Sequence, residues 1–280
     1  MMMTNFVKSY SYCLGFCIFF FVGIQISQSE NENDSYRIPK ATEEELWEMY
    51  RNAIIDAETV EPNEIYKNLT AIVDHNDQIE WNRIRGNRFV KVMTVTSWAG
   101  YDDLKGKQIK MEKIVSPKGI YNPSRDLWVT VTPEVKNFFR EHPIPSDQVA
   151  IRLQQLLGLP PKYYDRCVEF WVHPKDLFRP SHDPEITDHE AELDFPELSG
   201  FVSISQSYKD WFSSQITASY HPDGFPWTRL GYTYDWGNPD NPVGLSEYVI
   251  RAGAVVEVIS VTPIEDYCLS GAAVSNFSLH

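Results

Sequence analysis

Apolar positions recur at helical spacing near the start of the chain and at strand-like spacing in much of the rest. Leu46, Tyr50, Ala53, Ile54 and Ala57 fall on one face of a helix. Thr42 followed by Glu45 supplies a capping box, so an amphipathic helix is expected over 43–58. A weaker pattern extends the helical reading over about 62–73, and residues 76–87 are polar.

From Phe89 the period shortens. Phe89 to Thr96 is rich in valine and threonine, as half-buried strands are. Gln108–Val115 alternates in part, and Leu127–Thr132 reads as a strand. Pro133 sits just inside a helix start, with Val135, Phe138 and Phe139 as its apolar face. Ser146 caps a further helix carrying Val149, Ile151, Leu153, Leu156 and Leu157, which Gly158 and Pro160-Pro161 end. Cys167–Val172 is expected to be a buried strand, followed by a loop crowded with histidines and carboxylates. Gly200–Ser205 reads as a second strand running into an aromatic helix-like segment. His221–Pro242 is a long loop dense in proline, glycine and aromatics. Ser246–Ile250, a turn at Gly253 and Ala254–Val261 form a hairpin. Helices early and strands late predict an α+β fold: N-terminal helices followed by a mainly antiparallel, split β-sheet domain. Residues 30–75 form the N-terminal helical extension, and 76–280 form the α+β domain.

Residues 1–29 read as a cleaved signal peptide. Lys8 precedes an uncharged apolar run, Cys13–Ile24, and Ser27-Gln28-Ser29 offers small residues for cleavage. The run is shorter than the roughly 20 apolar residues of a membrane span; an uncleaved N-terminal anchor is the alternative. The expected location is secreted or periplasmic, with no membrane attachment after cleavage. Asn33, Asn68 and Asn276 fit the N-x-Ser/Thr acceptor pattern.

Charge narrows the partners. The chain has 39 acidic against 25 Lys and Arg residues, a formal net charge of −14. That field repels phosphate backbones and anionic lipids, so nucleic-acid and membrane-surface roles are disfavoured. Cys13 and Cys17 leave with the signal peptide, and Cys167 and Cys268 remain as an expected disulfide, with two buried thiols as the alternative.

No glycine-rich phosphate loop and no G-x-S-x-G nucleophile elbow is present. Three constellations carry candidate chemistry. The first is Arg179, Ser203 with Ser205, and Glu247, each at or beside an expected strand. Leu177–Ile186, Phe201-Val202-Ser203-Ile204-Ser205 with Trp211-Phe212, and Glu247–Ile250 with Gly253 resemble, in the same order, three strands of ADP-ribosyltransferase toxins. The resemblance covers about residues 167–262. It implies NAD as a substrate, not a permanently bound cofactor, and a protein acceptor as a partner. Glu247 would stabilise positive charge developing on the ribose, Arg179 would clamp the phosphates, and Ser203 would hold Arg179 or Glu247 in place. Ser205, Tyr234 and Trp236 complete the dinucleotide-binding set. Leu245 stands where many members carry Glu or Gln, which implies NAD hydrolysis or an acceptor other than arginine.

The second constellation is a His and carboxylate cluster in which His182, Asp183, Asp188 and His189 are the candidate metal ligands. Its spacing fits neither an H-E-x-x-H helix nor an Asp-x-Asp-x-Asp calcium loop, and a solvated loop is the alternative. The third is the aromatic loop: Trp227, Tyr232, Tyr234, Asp235, Trp236 and Asn238, suited to stacking on a glycan. Asp235 with Glu247, or Glu185 with Asp194, also offers the paired carboxylates of a glycosidase. Two functions follow: an exported NAD-consuming enzyme, or an exported non-catalytic ligand- or glycan-binding protein.

Overall fold

The computed structural model describes residues 41–112, 114–116, 119–121, 126–197 and 203–270. All lie in the compact unit Tyr36–His280. The expected signal peptide, Gly200-Phe201-Val202, Asn33 and Asn276 fall outside the described residues. Among the described residues no helix is long and apolar enough to cross a membrane.

Helix α1 (Glu43–Ala57) starts at the expected capping box. The Glu45 backbone N–H donates to the Thr42 hydroxyl at 3.3 Å, and the Thr42 N–H donates to the Glu45 carboxylate at 2.7 Å. Its buried face packs on Tyr234 and Trp236. The second helix expected at 62–73 is not formed. A 3-10 turn at Pro62–Glu64 gives way to chain whose Leu69 and Ile72 N–H groups donate to the carbonyls of His189 and Ile186, at 2.9 and 2.7 Å. Leu69, Ala71 and Ile72 are buried there, so their spacing reflects core contacts and not a helix face.

The sheet is antiparallel at every pairing and forks twice. Its strands are β1 (Trp81–Ile84), β2 (Asn87–Thr96), β3 (Gln108–Lys110), β6 (Leu127–Val131), β7 (Arg166–Val172), β8 (Leu177–Phe178), β9 (Tyr232–Tyr234), β10 (Val243–Ile250) and β11 (Val255–Pro263). The order is β3-β11-β7-β2-β6-β10-β8; β1 and β6 share one edge of β2, and β9 joins β10 beside β8. Strands β4 (Ile114–Ser116) and β5 (Gly119–Tyr121) pair separately, dividing the expected 108–115 strand. Strand β1 lies inside the polar 76–87 stretch. It turns into β2 through Arg85 and Gly86, both at positive φ (51° and 86°), the backbone of a tight hairpin.

Side chains alternate across this sheet. One face carries Val90, Val92, Val129, Val131, Phe170, Tyr248, Ile250, Val256 and Val258. Tyr101, Leu104, Met111, Ile72 and Ile79 pack into the same cluster. The other face is covered by helices. Met93, Cys167 and Leu245 meet α2 (Glu134–Glu141), α3 (Val149–Leu156) and α5 (Ile264–Leu269). Phe178, Val249 and Trp128 meet α4 (Gln206–Ser219). Glu134, at the start of α2, knits this together: its carboxylate accepts from the Thr130 hydroxyl at 2.9 Å, from the Ser246 N–H at 3.0 Å and from the Thr70 hydroxyl.

Candidate functional site

Arg179 follows β8 directly and is 1% exposed. Its guanidinium is held within the protein: Nη1 donates to the Asp188 carboxylate and to the Glu190 carbonyl at 2.8 Å, and Nη2 donates to the Asp188 carbonyl at 2.9 Å. The Tyr208 hydroxyl fixes the same turn by donating to the Arg179 and Ser181 carbonyls, at 3.1 and 2.6 Å. An arginine so enclosed organises the 181–190 loop, and its planar fork is not presented to a phosphate.

Glu247 lies on β10 and points the other way. Tyr248 and Ile250 enter one core cluster, whereas Leu245 and Val249 enter the clusters under the helices, so Glu247 projects toward the helices. On β8, Phe178 lies opposite Val249 and Leu177 opposite Ile250. Continuing that register puts Arg179 opposite Tyr248, on the face away from Glu247. Burial pushes the Tyr248 hydroxyl up, and the Arg179 guanidinium beside it acts in the opposite direction. Burial alone pushes the Glu247 carboxyl well above the ordinary range. The expected convergence of Arg179 and Glu247 is therefore not found, because neighbouring strand positions send their side chains to opposite faces.

Ser203 and Ser205 are exposed and belong to no strand. Ser205 is the N-cap of α4, its hydroxyl accepting from the Tyr208 N–H at 3.3 Å. The small polar pair that reads as a Ser-x-Ser strand is a helix start.

The candidate metal ligands have separate occupations. His182 is wedged against Phe195 and Phe212, ring centroids 4.9 and 4.5 Å away, and burial lowers its pKa. His189 Nδ1 lies 2.7 Å from the Leu69 carbonyl. Asp188 pairs with Arg179, and an Asp183 carboxylate oxygen accepts from the Glu185 N–H at 3.0 Å. Burial first, and then neighbouring carboxylates, push the Asp183 and Glu192 carboxyls up. Among the described residues no group of three or more His, Cys, Asp or Glu side chains is placed to hold a metal ion.

The expected aromatic platform is folded inward. Trp227, Tyr232, Tyr234 and Trp236 are all buried. The Tyr234 hydroxyl donates to Asp56 at 2.7 Å and Trp236 Nε1 donates to the Leu159 carbonyl at 3.0 Å. Asp235 is enclosed with Arg152, so it is not one of a glycosidase pair. Cys167 and Cys268 are free thiols, not a disulfide. They lie in one core cluster, and burial followed by the Cys268 thiol beside it pushes the Cys167 thiol well up.

An open cleft of about 440 Å³ lies elsewhere, lined by Asp102, Tyr163, Tyr164, Asp165, Arg166, Val261, Thr262, Pro263 and Glu265. Strand β7 supplies Arg166 at its first residue, β11 supplies Val261–Pro263, and α5 supplies Glu265 in its first turn. Arg166 Nη1 donates to Asp165 at 2.7 Å and to the Ser97 carbonyl at 3.1 Å, and its Nε lies 3.6 Å from Asp102. Tyr163 is 76% exposed, with its hydroxyl donating to Asp165 at 3.3 Å. Burial raises the pKa of Tyr164. Three carboxylates against one guanidinium disfavour anions, while carboxylate oxygens, a tyrosine face and Arg166 suit a ligand that both donates and accepts hydrogen bonds. The run Tyr163-Tyr164-Asp165-Arg166 was the signal for this cleft, hidden between a helix stop and a strand start.

No protein-family model, curated protein or solved structure matches the chain.

Proposed function

We propose that the mature chain is an exported binding protein that holds a small hydroxyl-rich ligand of the sugar class in the cleft at Tyr163, Asp165, Arg166 and Glu265. The observation that carries this reading is the cleft itself: about 440 Å³, with an exposed tyrosine ring at its margin and carboxylates beside a guanidinium. That volume lies within the range of about 300–1,000 Å³ common for small-molecule sites. Sugar hydroxyls donate to carboxylates and accept from arginine, and the apolar face of a pyranose stacks on a tyrosine. The excess of carboxylates disfavours dinucleotide phosphates in the same place. Export is supported by the uncharged run Cys13–Ile24 and the small residues after it.

Calorimetric titration of the mature protein with a panel of mono- and disaccharides tests the reading. At least one sugar is expected to bind in the millimolar-to-micromolar range, with Tyr163→Ala and Asp165→Asn each weakening it about tenfold. No heat from any sugar with folded wild-type protein, or affinity unchanged in both variants, overturns it.

A further inference from the structure

We infer that Glu247 and the indole cluster beside it form a second ligand site, one that takes an organic ammonium ion. The site shares no residue with the cleft and rests on a different observation.

The sheet register puts an indole next to this carboxylate. Glu247 pairs with Thr130 and Val249 with Trp128, so Trp128 is the diagonal cross-strand neighbour of Glu247 on the same face. Trp128 stacks on Trp211 at 6.3 Å and 29°, and meets the edge of Trp227 at 5.8 Å and 84°. Tyr220 closes the group, its hydroxyl donating to the Trp227 carbonyl at 2.5 Å. Burial first, and after it the Glu58 and Glu247 charges, push the Tyr220 hydroxyl up, against the Arg229 guanidinium. Glu247, Trp128, Trp211 and Tyr220 all keep partial solvent access.

No donor or cation contacts the Glu247 carboxylate among the described residues. Three cationic side chains lie on aromatic faces of the helix-covered side. Arg229 sits 5.1 Å over the Tyr220 ring and donates to the Glu58 carbonyl at 2.8 Å. Arg251 sits 4.6 Å over Phe178, and Lys209 sits 5.0 Å over Phe195. A carboxylate with no cation in contact, on the same sheet face as the Trp128 indole, lacks one thing, a positive charge. An ammonium ion supplies it, pairing with Glu247 while its methyl or methylene groups pack on the rings. An anion is repelled, and a neutral ligand gives no compensation for ionising the acid.

The test is titration of the full mature protein with tetramethylammonium and n-butylammonium, read by tryptophan fluorescence and calorimetry, with neopentyl alcohol and n-pentanol as uncharged counterparts. Saturable quenching by at least one ammonium, and binding at least about tenfold weaker for the alcohols, is expected. Glu247→Gln and Trp128→Phe are each expected to weaken the ammonium, Glu247→Gln by about tenfold or more, while Tyr163→Ala leaves it unchanged. Equal response to charged and uncharged probes, no saturable response in folded wild type, or full affinity in Glu247→Gln overturns the inference. The wild-type comparison decides the matter even if a variant does not fold. Because Tyr163→Ala belongs to the cleft, its effect on sugar binding is read separately.

Discussion

Arg152 and Asp235, 83 residues apart in the chain, meet as a two-pronged ion pair with distances of 2.7 and 2.5 Å and are both almost wholly enclosed. The pair fastens helix α3 to the aromatic loop. The Trp236 N–H donates to the Gln155 carbonyl at 3.2 Å one turn further along. Removing one partner leaves the other charge buried without compensation. Asp235→Ala is therefore expected to lower the unfolding free energy by about 3–5 kcal/mol, measured by urea denaturation. Replacing both residues with apolar ones of similar volume should recover most of that loss, and failure to recover it would assign the cost to packing and not to charge.

Arg179 makes a second prediction of the same kind. Its three donated bonds hold the backbone of Asp188 and Glu190 as well as one carboxylate. Arg179→Lys keeps the charge but cannot span three acceptors, so a loss of about 2–4 kcal/mol is expected. Asp188→Asn should cost about 1 kcal/mol or less, because that carboxylate is 38% exposed and the backbone contacts survive. Hydrogen exchange localised to 186–191 in Arg179→Lys checks that the loop is the part loosened.

How much of this was legible depends on whether a feature is local. The cap at Thr42 and Glu45, the stops at Gly158 and Gly253 and the valine-rich strands are short-range devices, and the structure carries them where the sequence puts them. The α+β class follows from the same signals. Leu69, Ala71 and Ile72 mimic a helix face because an extended segment anchored at Ile186 and His189 buries an uneven set of side chains. Helix α5 was missed because Pro263 and two acidic residues open a stretch of only six residues. At the candidate site, Glu247 stands on β10 and Arg179 just past the end of the neighbouring β8, and which face each takes is set by a register that only tertiary pairing fixes. Trp227, Tyr234 and Trp236 look like a binding platform in sequence because burial leaves no local mark on an aromatic residue.

Glu247 gives a pH dependence with a definite sign. Its folded-state pKa lies above the ordinary value of 4.5. The folded protein then binds more protons than the unfolded chain between those two values, so stability falls as pH rises through that window. The contribution is fully present below about pH 4.5 and is lost as the pH climbs toward the folded value. Glu247→Gln, which cannot ionise, should leave stability near pH 4 almost unchanged and raise it at pH 7–8. The difference between the two proteins should widen by no more than about 1.4 kcal/mol per pH unit. Melting temperature against pH for both proteins is the measurement, and parallel curves would show that the carboxyl titrates normally in the fold.

The Cys167 and Cys268 thiols supply the last prediction. Cys167 is on the interior strand β7 and Cys268 is on the last described helix, α5, and both are fully buried beside Met93, Leu153 and Tyr267. Burial keeps Cys167 a neutral thiol, so in the folded state it is a poor nucleophile and should resist alkylation. Iodoacetamide added to the folded protein is therefore expected to leave Cys167 and Cys268 unmodified, and to alkylate both once the protein is denatured, read by mass on the peptides that carry them. Rapid alkylation of the folded protein would show that α5 leaves the sheet often enough to expose the pair.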